Sequence, residues 1–587
     1  MSKRRVIFPR KQKPFPKNIV LVEPEWVVTR RSSVRCKIES GRWAFCHTET
    51  SLFTDGDDGW LPDAPAMCEY IESVALEFGN VSVMSHRFEP VAILLGISCW
   101  FRERGWRAER YIAGRERFIA RINKDKAVID FYDLQNWLPG EIRDYAGWLG
   151  MAEGVLDRFN PFLTRFAQEA AVNVFVMAGA WDRWVEWVTV NDLGGFTATI
   201  ASLSYGLLSR SEVARQVIRS KDQWVIQAER DAFYGGFCRA SGRGEYSGQN
   251  YYLLDANGLY SYVEVSNKFP VRFRTSKQNP TEKDLARVEQ LGTGIVHGVF
   301  SLRDGFIPVK TGFLLTWEQT PVECWLCWPE YRWVREHGEV HRIDQVLYYE
   351  VAELFKPTTV SYVQHARKAK IDRNRFEKTL WKMMSNSVFG KFAQRMGANQ
   401  IFPAEPGEID GTEYLWNMDT KASTQVTVWC GTKIVTEEDD FADTHFPAIA
   451  AFVTSFARAR LFAWCTKAGW ENVLYNDTDS IMVNQTGFGR LYDQIEQDEP
   501  GMLRVEAMAD RCFIGGKKHY EISDKVVYGS VGKNHQVTSD GGLVWTEREM
   551  EVGKGMGDYG ALYSRQRFTG SMKDERVDDL LRLEKKI

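Results

Sequence analysis

Apolar positions along this chain fall into short runs separated by polar, glycine and proline residues, and their spacing changes from region to region. Between about 40 and 210 the runs RWAFCHTET, NVSVMS and KAVIDFYDL have the residue types of strands. They alternate with PVAILLGISCWFRERGW and DLGGFTATIASLSYGLLSR, whose apolar spacing predicts helices. Such alternation predicts an α/β unit. Around 234–250 the pattern breaks into YGGFCRASGRGEYSGQN, which reads as a connector. A strong apolar strand, YYLLDANGLYSYVEV, comes next. From about 356 to 400 the chain turns helical and basic, and from 400 to 440 it reads as hairpins. PAIAAFVTSFARARLFAWCTKAG then predicts a helix leading directly into the strand-like LYNDTDSIMV.

Length and composition narrow the class. A chain of 587 residues outgrows a single hydrophobic core, so roughly two to four packed units are expected. With 44% hydrophobic and 26% charged residues, the composition is that of an ordinary folded protein. The formal net charge of -3 excludes a general polycation, so contact with nucleic acid requires locally concentrated positive charge. Ten cysteines without framework spacing point to reduced thiols in the cytoplasm. Cys324 and Cys327 lack the further ligands of a zinc site and read as core residues. With no signal peptide and no membrane-length apolar run, no membrane partner is expected. The opening MSKRRVIFPRKQKPFPKN holds seven lysines and arginines and three prolines, and reads as a mobile basic arm.

Three acids interrupt apolar runs. In LYNDTDSIMV, Asp477 and Asp479 lie two apart, so one strand would present both on the same side. Two carboxylates so placed repel unless a cation lies between them or one takes a proton; from this stretch alone a solvated turn is an equal alternative. Asp255 ends the run YYLLD and is followed by glycine and then Tyr260. In KTLWKMMSNSVFGKF, Lys378, Lys382, Asn386 and Gly390 recur at i+4 and share one helix face, while Trp381, Met384 and Val388 can pack. RKAKIDRNR upstream adds five more cations. Acids able to hold Mg²⁺ beside lysines able to neutralise phosphates suit phosphoryl or nucleotidyl transfer.

DANGLY, KMMSNSVFGK and YNDTDS, in that order, resemble the three polymerase motifs of the family B DNA polymerases. FYGGF at 233–237 resembles the Tyr-x-Gly-Gly linker of the protein-primed branch found in phages and linear plasmids, and KHY at 518–520 resembles its Lys-x-Tyr motif. The resemblance implies an α/β and α+β multidomain fold: a right-hand polymerase behind an N-terminal RNase H-like exonuclease-type domain. It divides the chain into an arm (1–30), an exonuclease-like domain (31–210), a linker (211–250), the first palm segment (251–264), a terminal-protein-binding insertion (265–358), fingers (359–393), a second insertion hairpin (394–440), the second palm segment (441–535) and a thumb (536–587).

The same resemblance implies that Asp255 and Asp479 hold two Mg²⁺ ions, with Mn²⁺ as a substitute, Asp477 beside them and the Ala256 carbonyl contributing. Tyr260 would lie under the sugar of the incoming dNTP. Lys382 and Lys370 would bind its triphosphate, and Asn386 and Phe389 would line its pocket. Lys518 and Tyr520 would steady the primer, with Tyr234, Gly235 and Gly236 contacting DNA. Implied partners are a primer-template, dNTPs, a terminal protein and a single-stranded DNA-binding protein, around a monomer acting in a host cytoplasm. Glycine at 258, Ser261, Phe389 and Phe233 depart from the family's serine, proline, tyrosine and tyrosine. A primer-independent polymerase and a catalytically silent DNA-binding scaffold remain as alternatives.

The proofreading motifs are altered. CHTET gives His47, Thr48 and Glu49 where the family has Asp-x-Glu; MSHRFEP gives Ser85, Phe88 and Glu89 for an asparagine and a Phe-Asp; VTVND gives Val188 and Asp192 for a tyrosine and an aspartate. No lysine occurs between Lys126 and Lys221 to supply the branch's catalytic lysine. The reading is a degenerate nuclease kept as scaffold and single-strand guide, with Thr50 and Phe88 still available to a DNA strand; the competing reading is a misplaced alignment, with Asp130 or Asp133 serving instead.

Overall fold

The computed structural model describes residues 5–6, 12–31, 35–48, 58–61, 63–88, 91–92, 95–114, 117–151, 165–303, 306–311, 314–394, 398–405, 408, 411–416, 423–437 and 445–528, with short strands at 536–537, 543–544, 549–552 and 562–565.

The N-terminal unit is built on a nine-stranded sheet. At its centre Ile19–Arg31, Asn80–Ser85 and Ala127–Asp133 run parallel, and the antiparallel strands Arg107–Gly114 and Arg117–Lys124 extend one side. On the other side Arg35–Thr48 pairs with Ile19–Arg31 and with the C-terminal strand Leu562–Arg565. Parallel neighbours need a crossover, and helix Ala64–Phe78 supplies one. Asp63 caps it by accepting from Ala66 N at 2.9 Å, and Gly79 ends it at φ 76°. Met67, Ile71, Val74 and Ala75 form the stripe it buries.

Two expectations are corrected in this unit. The basic arm does not extend to residue 30: Ile19–Val22 are buried in a central strand, because the apolar run NIVLV follows the basic stretch directly. Phe15 also packs edge-on against Trp181, with ring centroids 6.3 Å apart. Helix begins at Ile200, not at Asp192; Thr199 caps it, accepting from Ser202 N, and Gly194 and Gly195 stay in the preceding loop. The 26-residue helix Arg165–Val190, which the sequence reading passed over, packs across Ile19–Arg31 and Arg35–Thr48.

The second unit centres on a seven-stranded sheet in the order Cys238–Ala240, Val473–Asp477, Ser480–Asn484, Gly244–Ala256, Leu503–Gly516, His519–Ile522, Lys525–Tyr528. Helix Pro447–Ala468 packs behind it; it is long and apolar enough to cross a membrane, yet is largely buried within the fold. The stretch 265–358 carries most of a separate six-stranded sheet, with Phe269–Gln278, Gly338–Ala352, Ile295–Leu302 and Val322–Cys327 adjacent in that order. Cys324 and Cys327 are buried there. Helices Lys356–Ile371 and Arg375–Ser387 pair with each other, and Ala398–Pro403, Gly411–Trp416, Ser423–Trp429 and Thr432–Glu437 form a four-stranded sheet.

Candidate active site

Asp255, Asp477 and Asp479 come together at one end of the seven-stranded sheet. Asp255 lies opposite Ser480 on one side and Arg504 on the other. Asp477 and Asp479 do not share a strand: Asp477 ends one strand, Thr478 and Asp479 form the turn, and Ser480 starts the next. Thr478 adopts φ 57°, and Asp479 N donates to the Asp477 carbonyl at 2.6 Å. The two acids therefore approach through a tight hairpin rather than by strand alternation. Ala256 N donates to the Asp479 carbonyl at 2.8 Å, tying Asp255 to this turn.

Charge compensation at the three acids is uneven. Arg504 donates to Asp255 Oδ2 at 2.8 and 3.2 Å. Asp477 accepts from Lys518 Nζ at 2.6 Å, from the Tyr475 hydroxyl at 3.3 Å and from Thr478 Oγ1 at 3.0 Å. No described side chain ion-pairs with Asp479. Burial, then the charges of Asp255 and Asp477, push its carboxyl up to about 6, against the opposing pull of Lys382. An all-carboxylate oxygen donor set with surplus negative charge fits a hard divalent cation such as Mg²⁺. A tighter group of potential metal ligands among the described residues, His297, Glu323 and Asp344, lies on the 265–358 sheet. Arg342 already neutralises it, at 2.7 Å from Asp344 and 3.3 Å from Glu323.

Facing the acids, Tyr260 and Phe389 stack with centroids 5.1 Å apart and planes 25° from parallel. Phenylalanine at 389 keeps the ring that this contact uses. Gly258 starts helix Leu259–Ser266 at φ 56°, a conformation that glycine adopts without strain. Ser261 and Ser385 share a buried hydrogen bond of 2.7 Å, which joins this helix to Arg375–Ser387. Lys382 and Asn386 are exposed on that second helix, and Trp381, Met384 and Val388 are buried. Gly390 is not on it, because the helix ends at Ser387. Burial, then the charges of Lys370, Arg504 and Lys382, push the Lys378 ammonium pKa down, so four cations crowd together here. Lys370 itself is ion-paired with Asp498.

The KHY segment delivers Lys518 to Asp477, while Tyr520 is buried against Tyr475 at 4.9 Å between centroids. The glycine-rich loop, expected to contact DNA, also packs against the acidic turn. Tyr234 is buried, with its ring beneath Lys310 and Arg458, and so is not presented to DNA. Phe237 O accepts from Thr478 N at 2.8 Å and from Asn476 Nδ2 at 3.1 Å. A Cβ on Gly236 would fall 2.3 Å from Thr478 Oγ1. The loop braces the acidic turn from beneath. The sequence reading missed Arg458, buried in helix Pro447–Ala468, which donates to the carbonyls of Tyr234 and Gly235 at 2.6 and 2.8 Å and to Glu330 at 2.7 Å. Two arginines, Arg458 and Arg460, inside an apolar helical run were the available signal.

Residues 195–468 match the family model described as DNA polymerase type B, organellar and viral. The described residues have the right-hand polymerase fold with an N-terminal exonuclease-type domain, and the chain is similar to Phi29 DNA polymerase in three solved states. Against the complex with primer-template DNA and incoming nucleotide the TM-score is 0.68 at 16% identity, over 94% of this chain and 100% of that one. Against the binary complex with primer-template DNA it is 0.63 at 15%, over 96% and 94%. Against the complex with single-stranded DNA it is 0.62 at 16%, over 97% and 94%. No curated protein matches the sequence.

In the N-terminal domain only some of the expected nuclease positions fall among the described residues. Residue 47 lies on the second strand, in register with Val20, and Glu49, Thr50 and Glu89 fall outside the described residues. Val188 is buried in the long helix, and Asp192 is exposed and ion-paired with Arg210 at 3.5 Å. Asp130 is held by Arg121, and Asp133 accepts from the backbone of Arg87, Phe88 and Gln135, a structural cap. Phe88 is fully buried and stacked on Phe118, so it cannot meet a DNA strand. Three different segments do converge: Ser85 Oγ donates to Glu23 Oε2 at 3.3 Å, and Asn173 Nδ2 donates to Glu23 Oε1 at 3.4 Å.

Proposed function

We propose that the protein is a DNA-directed DNA polymerase that copies a phage or linear-plasmid genome, starts from a terminal protein, and has little or no 3′–5′ proofreading. The observation that carries the synthetic activity is the convergence of Asp255, Asp477 and Asp479 opposite Lys382 and the Tyr260–Phe389 pair. Mg²⁺ ions held by Asp255 and Asp479, with Asp477 and the Ala256 carbonyl beside them, would activate the attacking 3′-hydroxyl and stabilise the leaving pyrophosphate. Lys382 and Lys370 bind the triphosphate and offset its charge. Tyr260 and Phe389, which touch each other here, part to admit the nucleotide, and the Tyr260 ring then excludes a 2′-hydroxyl. Lys518 orients the primer end beside Asp477. A separate sheet at 265–358 and the similarity to Phi29 DNA polymerase support the protein-primed reading. Among the described residues that meet at the convergence in the N-terminal domain, Glu23 is the acid, beside neutral Ser85 and Asn173. Two-ion hydrolysis needs more carboxylates than that.

The test is extension of a 5′-labelled primer-template in Mg²⁺, with and without dNTPs, beside Asp479→Ala. Extension that the variant lacks is expected, together with a stable primer when dNTPs are withheld. No extension under any salt or metal condition would favour the silent scaffold. A shortening ladder that survives Asp479→Ala would refute the loss of proofreading.

A further inference from the structure

The loop 495–502 is anchored to the turn that follows Asp255. Asn257 Nδ2 donates to the carbonyls of Glu496 and Gln497 at 2.9 and 3.0 Å, and Gly501 N donates to Asn257 O at 2.8 Å. Gly501 sits at φ 76° with Tyr262 against it, where a Cβ would fall 2.3 Å from the ring. From this fixed base two acids reach across to helix Lys356–Ile371. Asp498 ion-pairs with Lys370, and Glu499 lies 3.8 Å from Arg367. Arg367 and Lys370 are three apart and so share a helix face. Lys370 in turn belongs to the crowded group with Lys378, Lys382 and Arg504.

We propose that Asp498 and Glu499 form an electrostatic latch: they supply counter-charge to the fingers' cations in the nucleotide-free protein, and the incoming triphosphate must displace them. The inference rests on the polymerase reading, since it takes Lys370 as a triphosphate ligand. Like charges this close repel, and the group needs an anion whether or not a nucleotide is present. Lys370 and Asp498 are 52% and 73% exposed, so the pair is weak and sensitive to salt. A contact that must be released at every turnover has to be weak. Asp498 is thus a positioning residue acting through Lys370, and it sets the nucleotide's apparent affinity rather than the chemical step.

The experiment is steady-state extension by wild type, the double variant Asp498→Asn/Glu499→Gln, and Asp493→Asn. Asp493 pairs with Lys467 away from the fingers and serves as a control for losing an exposed ion pair. The latch predicts a dNTP KM about threefold lower in the double variant at low salt, with kcat retained. The difference should shrink as salt rises, and Asp493→Asn should match wild type. An unchanged or raised KM overturns the proposal. Calorimetric titration with inorganic pyrophosphate reads the same contact without catalysis: tighter binding by the double variant supports the latch even if no primer is extended, which would defeat the polymerase reading alone. Equal pyrophosphate affinity would overturn the latch.

Discussion

Gly236→Ala adds a single carbon beneath the acidic turn and should disable the enzyme. Its Cβ would lie 2.3 Å from Thr478 Oγ1, 2.9 Å from Cγ2 and 3.0 Å from Cβ. Rotating the threonine gives no relief, because its Cβ is itself too close. Thr478 N is bonded to Phe237 O, and its hydroxyl to Asp477, so the clash passes to the backbone carrying Asp477 and Asp479. Restoring contact distance requires a shift on the order of 1 Å, and misplacement of reacting groups by that amount costs roughly 100-fold in rate. Overpacking should also cost about 1–3 kcal/mol of stability. The control is next door: a Cβ on Gly235 would meet only Leu315 Cδ2, at 3.8 Å. The assay is single-turnover extension of a bound primer-template, with thermal unfolding of each variant. Gly236→Ala should lose about two orders of magnitude while Gly235→Ala stays near wild type. Equal losses at both positions would show that the loop acts as a DNA contact, and no loss at 236 would refute the bracing argument.

Two further outcomes follow from buried charge. Glu330 and Arg458 are both almost completely buried, so Glu330→Gln or Arg458→Met should each cost about 3–5 kcal/mol by stranding the partner, with the double variant losing less than the sum; additive losses in chemical denaturation would show that the pair is uncoupled. Glu264 is fully buried and its carboxyl is pushed from 4.5 up to about 8 by burial, opposed by the Thr359 hydroxyl. The native state therefore holds this proton more tightly than the unfolded chain, and its contribution is full below pH 4.5 and falls away as pH rises to about 8. Glu264→Gln should raise the melting temperature at pH 8 and gain little near pH 5; a pH-independent difference between variant and wild type would refute this.

What the sequence makes legible follows from where chemistry opposes packing. Asp255, Asp477 and Asp479 stand out because each interrupts an apolar run, and the lysines of 378–382 because they repeat at helical spacing. The hairpin between Asp477 and Asp479 is invisible to that logic, since strand alternation and a two-residue turn both place the acids near each other. Arg458, Glu330 and Gly236 act through contacts more than a hundred residues apart in sequence, a relation no local pattern encodes. The N-terminal domain is harder for a different reason. Its strand at 19–31 follows a proline-rich basic stretch, and its convergent polar groups are Glu23, Ser85 and Asn173, too neutral to mark a motif.

The persistence of that domain has a packing explanation. One continuous core joins Trp137, Trp181, Trp184 and Trp187 of the N-terminal domain to Tyr362, Leu380, Trp381 and Met384 of the helix pair Lys356–Ile371 and Arg375–Ser387. Trp187 and Trp381 meet with centroids 4.7 Å apart, and Ser204 Oγ donates to Met384 O at 2.7 Å. Trp381 lies one residue from Lys382, and Ser385 bonds to Ser261 beneath Tyr260. Removing the domain would expose large aromatic surface on the helix that carries Lys382, where each buried aromatic is worth several kcal/mol. On the proposed reading, selection can discard the nuclease carboxylates one at a time while the tryptophans stay, because synthesis depends on the position of the fingers and not on hydrolysis.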